Sequence, residues 1–312
     1  MLINRLSART SVMPLIVFGA GGLIGSSILK FANQDAKPFH LPMPWINPQG
    51  CIEVFRSWEI TEPNTQVVWA AGASAVSTSS GDIESEVAIF RGFLEAITRN
   101  SKNIKRVLLV SSAGGVYGRS ADHFITEKSA PNPISDYGRA KLRLESELIA
   151  CADACNVPVF IARVSNAYGP MQDLNKSQGL ISTLVKASLE RRPLTIYVPL
   201  DTKRDYIYCD DIGKKIAKLL DTDVSELPNV NYKLIASGSS FSILSIVSEI
   251  NKIRGIKTPI IFATRPETFL QPGSVFFRSI DFLNADKIQA TSIVEGIEKV
   301  ISHQLMSKQV AT

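Results

Sequence analysis

The sequence predicts an α/β fold: a doubly wound parallel sheet followed by a smaller C-terminal α/β lobe. Two observations carry this reading. Between residues 15 and 163, short apolar runs of strand length alternate with stretches of helical periodicity, the rhythm of βαβ units. The segment G-A-G-G-L-I-G at residues 19–25 also stands directly between the first apolar run and the first helical pattern. In that context the loop can cradle a pyrophosphate at a helix N-terminus, which makes the sheet a candidate dinucleotide-binding unit.

The elements follow in order. Residues 1–12 carry two Arg and no acid and are expected to form a flexible extension. Leu15-Ile16-Val17-Phe18 reads as a buried parallel strand. Gly19 permits the tight turn, Gly22 lets backbone approach a phosphate, and Gly25 permits close helix–strand packing. Leu23 and Ile24 open the helix at that loop, with Ile28, Leu29 and Phe31 continuing its apolar face. Residues 37–50 hold four prolines and are expected to loop around a stub of strand near Phe39-His40-Leu41. Ile52–Phe55 reads as a third strand. Val67–Ala70 reads as a fourth, ending in Ala70-Ala71-Gly72 at the cofactor edge.

Ile83, Val87, Phe90, Leu94 and Ile97 share one helical face, a stripe expected to pack in the core or between subunits. Val107–Val110 is a fifth strand that runs into S-S-A-G-G-V-Y-G at 111–118, placing hydroxyls where open α/β sheets collect ligands. A helix carrying Tyr137 and a sixth strand, Val159–Arg163, complete this part. After residue 170 the rhythm changes. Helices are expected near 179–190, after 211, and at 243–253 and 293–301, with strands at 195–198 and 230–235. The Rossmann domain is therefore expected over 13–170, with 204–236 returning to it. The C-terminal third is expected to cap the sheet.

The chemistry centres on D-Y-G-R-A-K, residues 136–141. Tyr137 and Lys141 are four apart and share a helical face. An ammonium beside a phenol favours the phenolate, which makes the pair a general acid/base if a redox-active or electrophilic group sits nearby. Composition removes other classes. Three His, and four Cys without C-x-x-C spacing, indicate neither metal catalysis nor a disulfide framework, and fit a reduced, cytoplasmic compartment. No apolar run reaches membrane-span length. The net charge of +5 is spread along the chain without the basic stripe of a nucleic-acid groove, and it suits an anionic small molecule.

Taken in order, G-x-x-G-x-x-G, S-S-A-G-G-V-Y-G, Y-G-R-A-K, R-V-S-N-A-Y-G-P (163–170) and R-D-Y-I-Y-C-D-D (204–211) resemble the extended short-chain dehydrogenase/reductases, in the nucleotide-sugar epimerase/dehydratase branch. The likeness runs from about residue 14 to the end. The resemblance implies a homodimer that binds NAD, with NADP open, and a UDP- or dTDP-sugar, the nucleotide sugar in a lobe formed by residues 171–203 and 237–312. It implies Tyr137 and Lys141 as catalytic residues, Lys141 also holding the nicotinamide ribose, and Asn166, Arg204 and Arg265 as substrate contacts.

Several positions depart from the family pattern. Its catalytic Ser or Thr would fall on Ala113, which leaves Ser112 to take that role. Gly114 and Gly115 stand where dehydratases carry Asp and Glu, so dehydration is not expected. No acid lies between Asp35 and Glu53 for the adenine ribose, and Ser57-Trp58 stands where an Asp is common. The resemblance thus implies a 4-epimerase acting through a keto intermediate. The alternatives are a keto-sugar reductase using NADPH and a non-catalytic dinucleotide sensor.

Overall fold

A computed structural model of the chain describes residues 13–32, 36–39, 42–72, 80–174, 179–223, 225, 227–263, 274–280 and 285–310. Its large sheet comprises β1 (Leu15–Phe18), β2 (Ala36–Pro38), β3 (Thr65–Trp69), β4 (Ile104–Ser112), β5 (Val159–Val164) and β9 (Val230–Ile235). The order is β2-β1-β3-β4-β5-β9, and every pairing is parallel. The chain leaves β1 toward β2 on one side and returns as β3 on the other. That reversal is the switch point beside which α/β sheets bind ligands.

Both faces are covered, which is why β3 and β5 are buried at every position. On one face Phe18, Val67, Trp69, Val107 and Leu109 meet α2 (Pro48–Ser57), α3 (Ser80–Asn100) and α5 (Asp136–Cys155). On the other, Val17, Val68, Leu108 and Phe160 meet α1 (Leu23–Phe31) and α7 (Cys209–Leu220). The stripe expected over residues 83–97 is core: Val87, Phe90, Leu94 and Ile97 all lie in the first cluster.

One predicted strand is a helix. Ile52–Phe55 lies inside α2, where Cys51 and Phe55, four apart, are the buried positions. The start signal is Asn47-Pro48: the Asn47 side chain accepts from Gly50 N at 3.1 Å, and Pro48 occupies the first turn. A four-residue I-E-V-F run fits either period, so the cap decides it. The second strand is also earlier than expected, at Ala36–Pro38, with Phe39 N donating to Val17 O just beyond it. His40 and Leu41 lie outside the described residues.

The C-terminal lobe holds two small sheets. β6 (Asn166–Tyr168), β8 (Lys203–Tyr208) and β10 (Ser240–Ser242) pair in the order β10-β8-β6. β7 (Leu194–Ile196) pairs with β11 (Ile260–Phe262). A third core cluster joins them to α6 (Leu180–Glu190), α8 (Ile243–Arg254) and α9 (Ile293–Val310). Of residues 204–236, β9 joins the large sheet and α7 packs on α1, whereas β8 belongs to the three-stranded sheet. Among the described residues, no helix is long and apolar enough to cross a membrane.

Candidate active site

The glycine loop is built by close approach. Gly19 has φ +79°, and a Cβ there would fall 2.6 Å from the backbone of Ala70 and Ala71. A Cβ on Gly25 would fall 2.1 Å from Gly19 O, so α1 presses directly on the turn. Gly22 caps α1 without a side-chain bond, and no acid stands in the first turn. The N-terminal amides ahead of Leu23 and Ile24 are thus presented to an anion. Nothing lies within 4 Å of a Cβ placed on Gly21, and only Gly19 O, at 3.4 Å, lies near one on Gly22, so this side of the loop is open and fits a dinucleotide pyrophosphate.

Ala70 N donates to Phe18 O at 3.0 Å, which ties the end of β3 to the loop. Two residues on, a Cβ on Gly72 would lie 3.2 Å from Glu86 Oε1 and 3.3 Å from Lys141 Nζ. Those two groups form an ion pair at 2.7 Å, their side chains only 10% and 9% exposed. Burial works to lower the Lys141 pKa, but Glu86, helped by Tyr137 and Glu145, outweighs it and holds the ammonium above its ordinary range. Lys141 Nζ also sits 5.5 Å from the centroid of the Tyr137 ring.

Ser112 ends β4 and caps α4 (Ala113–Val116), its Oγ accepting from Gly115 N at 3.2 Å. A Cβ on Gly115 would meet Tyr137 Cε1 at 2.9 Å and Ser112 Oγ at 3.3 Å. The missing side chain lets the phenol ring and the hydroxyl share one small volume. Gly138 completes the fit, because a Cβ there would lie 2.1 Å from Gly115 O. The first turn of α5, capped by Ser135, is therefore docked backbone to backbone on α4. Ala113, the position where the family pattern would carry its hydroxyl, is fully buried with Val116, Tyr117, Leu234 and Ala236. It faces the core, and Ser112 is the hydroxyl beside Tyr137.

Beneath these groups lies a buried network that residue patterns did not single out. Ser111 Oγ donates to Glu145 Oε1 at 2.5 Å, and Arg163 holds Glu145 through two nitrogens at 3.1 and 2.6 Å. Arg163 also donates to the Tyr117 hydroxyl, whose pKa burial raises against the pull of Arg163. Glu145 is one turn beyond Lys141 on α5, so helical spacing was the available signal. Glu86 had none, since its partner is 55 residues away.

The remaining predicted contacts lie on the lobe side. Asn166 Nδ2 donates to Asp205 O at 2.7 Å, and β6 and β8 run in parallel with Asn166 opposite Tyr206. Arg204 is partly buried, donates to Lys203 O at 3.0 Å, and has its pKa lowered by desolvation. Its acidic neighbours in sequence are engaged elsewhere: Asp210 pairs with Lys30 at 2.7 Å, and Asp205 accepts from Ser165, Ser237 and Gly238. Burial raises the Asp205 pKa and those hydrogen bonds oppose it. Arg265 lies outside the described residues. Among the described residues no group of His, Cys, Asp and Glu could hold a metal ion.

Residues 50–234 match the NAD dependent epimerase/dehydratase family. The dTDP-4-dehydro-6-deoxyglucose reductase of Escherichia coli is 30% identical over 146 residues, 47% of this chain and 45% of the relative. An uncharacterized UDP-glucose epimerase of Bacillus subtilis is 28% identical over 160 residues, 51% of this chain and 48% of the relative. The chain thus spans about half the length of these curated relatives. The Thermus thermophilus UDP-glucose 4-epimerase, solved with NAD, shares the fold with a TM-score of 0.74 at 19% identity, over 93% of this chain and 98% of that one. The family match takes in more than half of the 312 residues, and the chain belongs to the NAD dependent epimerase/dehydratase family.

Proposed function

We propose that the chain catalyses NAD-dependent 4-epimerisation of a UDP- or dTDP-sugar through a keto intermediate. The observation that carries this reading is the gathering of Ser112, Tyr137 and Lys141 at the carboxyl ends of β3 and β4, beside the glycine cradle. Gly19, Gly22, Leu23, Ile24 and Gly25 would hold the pyrophosphate of NAD, and Ala70, Ala71 and Gly72 would line the rest of its site. NAD, when bound, supplies the reversible acceptor for the hydrogen on the sugar carbon.

Tyr137 takes the proton of the sugar hydroxyl as that carbon is oxidised, and returns it once the keto-sugar has turned its other face. Lys141 stabilises the phenolate electrostatically, and Ser112 hydrogen-bonds the reacting oxygen. Asn166 and Arg204 approach the substrate from the lobe, Arg204 being suited to phosphate oxygens. Gly114 and Gly115 offer no acid or base for removing water, which favours epimerisation over dehydration. The same reading expects a homodimer in the cytoplasm, which sedimentation and fractionation would check.

The test is conversion of UDP-glucose, UDP-galactose and dTDP-glucose, followed by NMR. Tyr137→Phe is expected to lower turnover about 10²-fold or more, the scale of a lost general acid/base. The partial match to a keto-sugar reductase favours one second reading, net reduction of a keto-sugar. It predicts that the dinucleotide leaves after every turnover, whereas an epimerase retains it through native mass spectrometry.

A further inference from the structure

The far end of α5 carries two thiols that take no part in the chemistry above. Cys151 and Cys155 are four apart in C-A-D-A-C and share a helical face, their Sγ atoms 3.7 Å apart. Both are partly exposed, whereas Cys51 and Cys209 are buried. Thr98 Oγ1, on α3, lies 3.5 Å from Cys151 Sγ and 3.7 Å from Cys155 Sγ. Leu94, whose carbonyl accepts from Cys151 at 3.8 Å, joins Thr98 in lining an open groove of about 420 Å³ along the α3–α5 seam. The pair is thus reached from solvent, with room beside it for a ring-sized group.

Helix geometry decides what can join the two sulfurs. Cβ atoms four apart on a helix stand about 5–6 Å apart, and a disulfide needs about 3.5–4.5 Å. An S–S bond would therefore have to unwind the last turn of α5. One atom bonded to both sulfurs needs no such change: with bonds of about 2.3 Å at a near-tetrahedral angle, as in zinc thiolates, it spans about 3.5–3.8 Å. Zinc itself takes four ligands, and among the described residues no group of three His, Cys, Asp or Glu could hold a metal ion. A soft centre satisfied by two sulfurs fits instead. We propose that Cys151 and Cys155 form a covalent capture site for trivalent arsenicals of the type R–As=O. Two As–S bonds form, and the oxygen leaves as water with both thiol protons. Arsenic stays trivalent, so no oxidant or reductant is consumed. Burial pushes the Cys151 thiol up to about 11, which makes it a poor thiolate for reagents that attack a single sulfur and suits a condensation that carries its proton away. Fourteen residues along α5 separate Cys151 from Tyr137 by about 21 Å, so capture is independent of the proposed epimerisation.

The experiment treats the reduced full chain with phenylarsine oxide in excess 2-mercaptoethanol and reads the intact mass. One phenylarsenic group per chain is expected, resistant to the monothiol and removed by 1,2-ethanedithiol. Tryptic digestion should place it on residues 144–163, which contain Cys151 and Cys155 and no other cysteine. Cys151→Ser and Cys155→Ser each leave one sulfur, so capture should weaken about 10²-fold or more, the gain that a second, intramolecular bond supplies. Three results would each overturn the assignment. They are a parent with no monothiol-resistant adduct, an adduct mapped to a peptide carrying Cys51 or Cys209, and capture by either single variant at the parent's level. The peptide map is made on the parent alone, so it decides the question even where a variant folds poorly.

Discussion

Replacing Gly138 by Ala tests whether backbone docking of α5 on α4 sets the geometry of the site. The added Cβ would sit 2.1 Å from Gly115 O, with Gly115 C and Pro133 Cβ each at 2.8 Å. Reaching even a 3.0 Å contact with that oxygen requires the two segments to part by about 0.9 Å. The nearest neighbours are backbone atoms, so no side chain can swing aside. Overpacking of this kind costs about 1–3 kcal/mol, and the better helix propensity of Ala returns up to about 1.

The net loss of about 0–2 kcal/mol leaves a domain with a usual margin of about 5–15 kcal/mol folded. Tyr137, one residue away, would however shift by roughly 1 Å from Ser112, and a displacement of that size can reduce turnover about 10²-fold. Urea unfolding and epimer conversion on the same samples separate the two effects. Gly81→Ala, at a helical site with nothing within 4 Å, is the control: it should leave turnover unchanged and raise stability by up to about 1 kcal/mol. Turnover of Gly138→Ala within a few-fold of the parent would refute the argument that this contact positions the phenol.

Three other outcomes follow from the same geometry. Ser112→Ala should lower turnover with little change in stability, whereas Ser111→Ala removes a bond to buried Glu145 and should cost about 1–3 kcal/mol in urea unfolding; equal, small effects would mean that neither hydroxyl matters. Arg204→Met should weaken UDP and dTDP by about 1.5–3 kcal/mol, roughly 10- to 150-fold in Kd by calorimetry, without altering bound dinucleotide. Lys141 titrates above its ordinary value of 10.5 in the folded chain. The pair's contribution is therefore complete below that pH and lost as pH rises through the folded value. The stability gap between parent and Glu86→Gln should be flat through neutral pH and close in strong alkali, and a gap that instead widened there would contradict the pairing.

What the sequence determined by itself was local. The strand–glycine loop–helix start, the apolar stripe of α3, the Tyr137–Lys141 face of α5 and the run into Ser111-Ser112 depend on spacings of a few residues, and periodicity reports those directly. Where two periods fit a short run, as at Ile52–Phe55, the cap at Asn47-Pro48 carried the answer. Tertiary structure alone decided the rest. Ala113 turns into the core while the Ser112 hydroxyl and the Tyr137 ring both border the space left open at Gly115, because one step along the chain at the end of β4 reverses the face presented. Glu86 reaches Lys141 because α3 and α5 pack on the same side of the sheet. The phenol has room because Gly115 and Gly138 approach each other from separate elements. Contacts between residues 23 to 55 positions apart depend on how helices dock, and no local pattern encodes that distance.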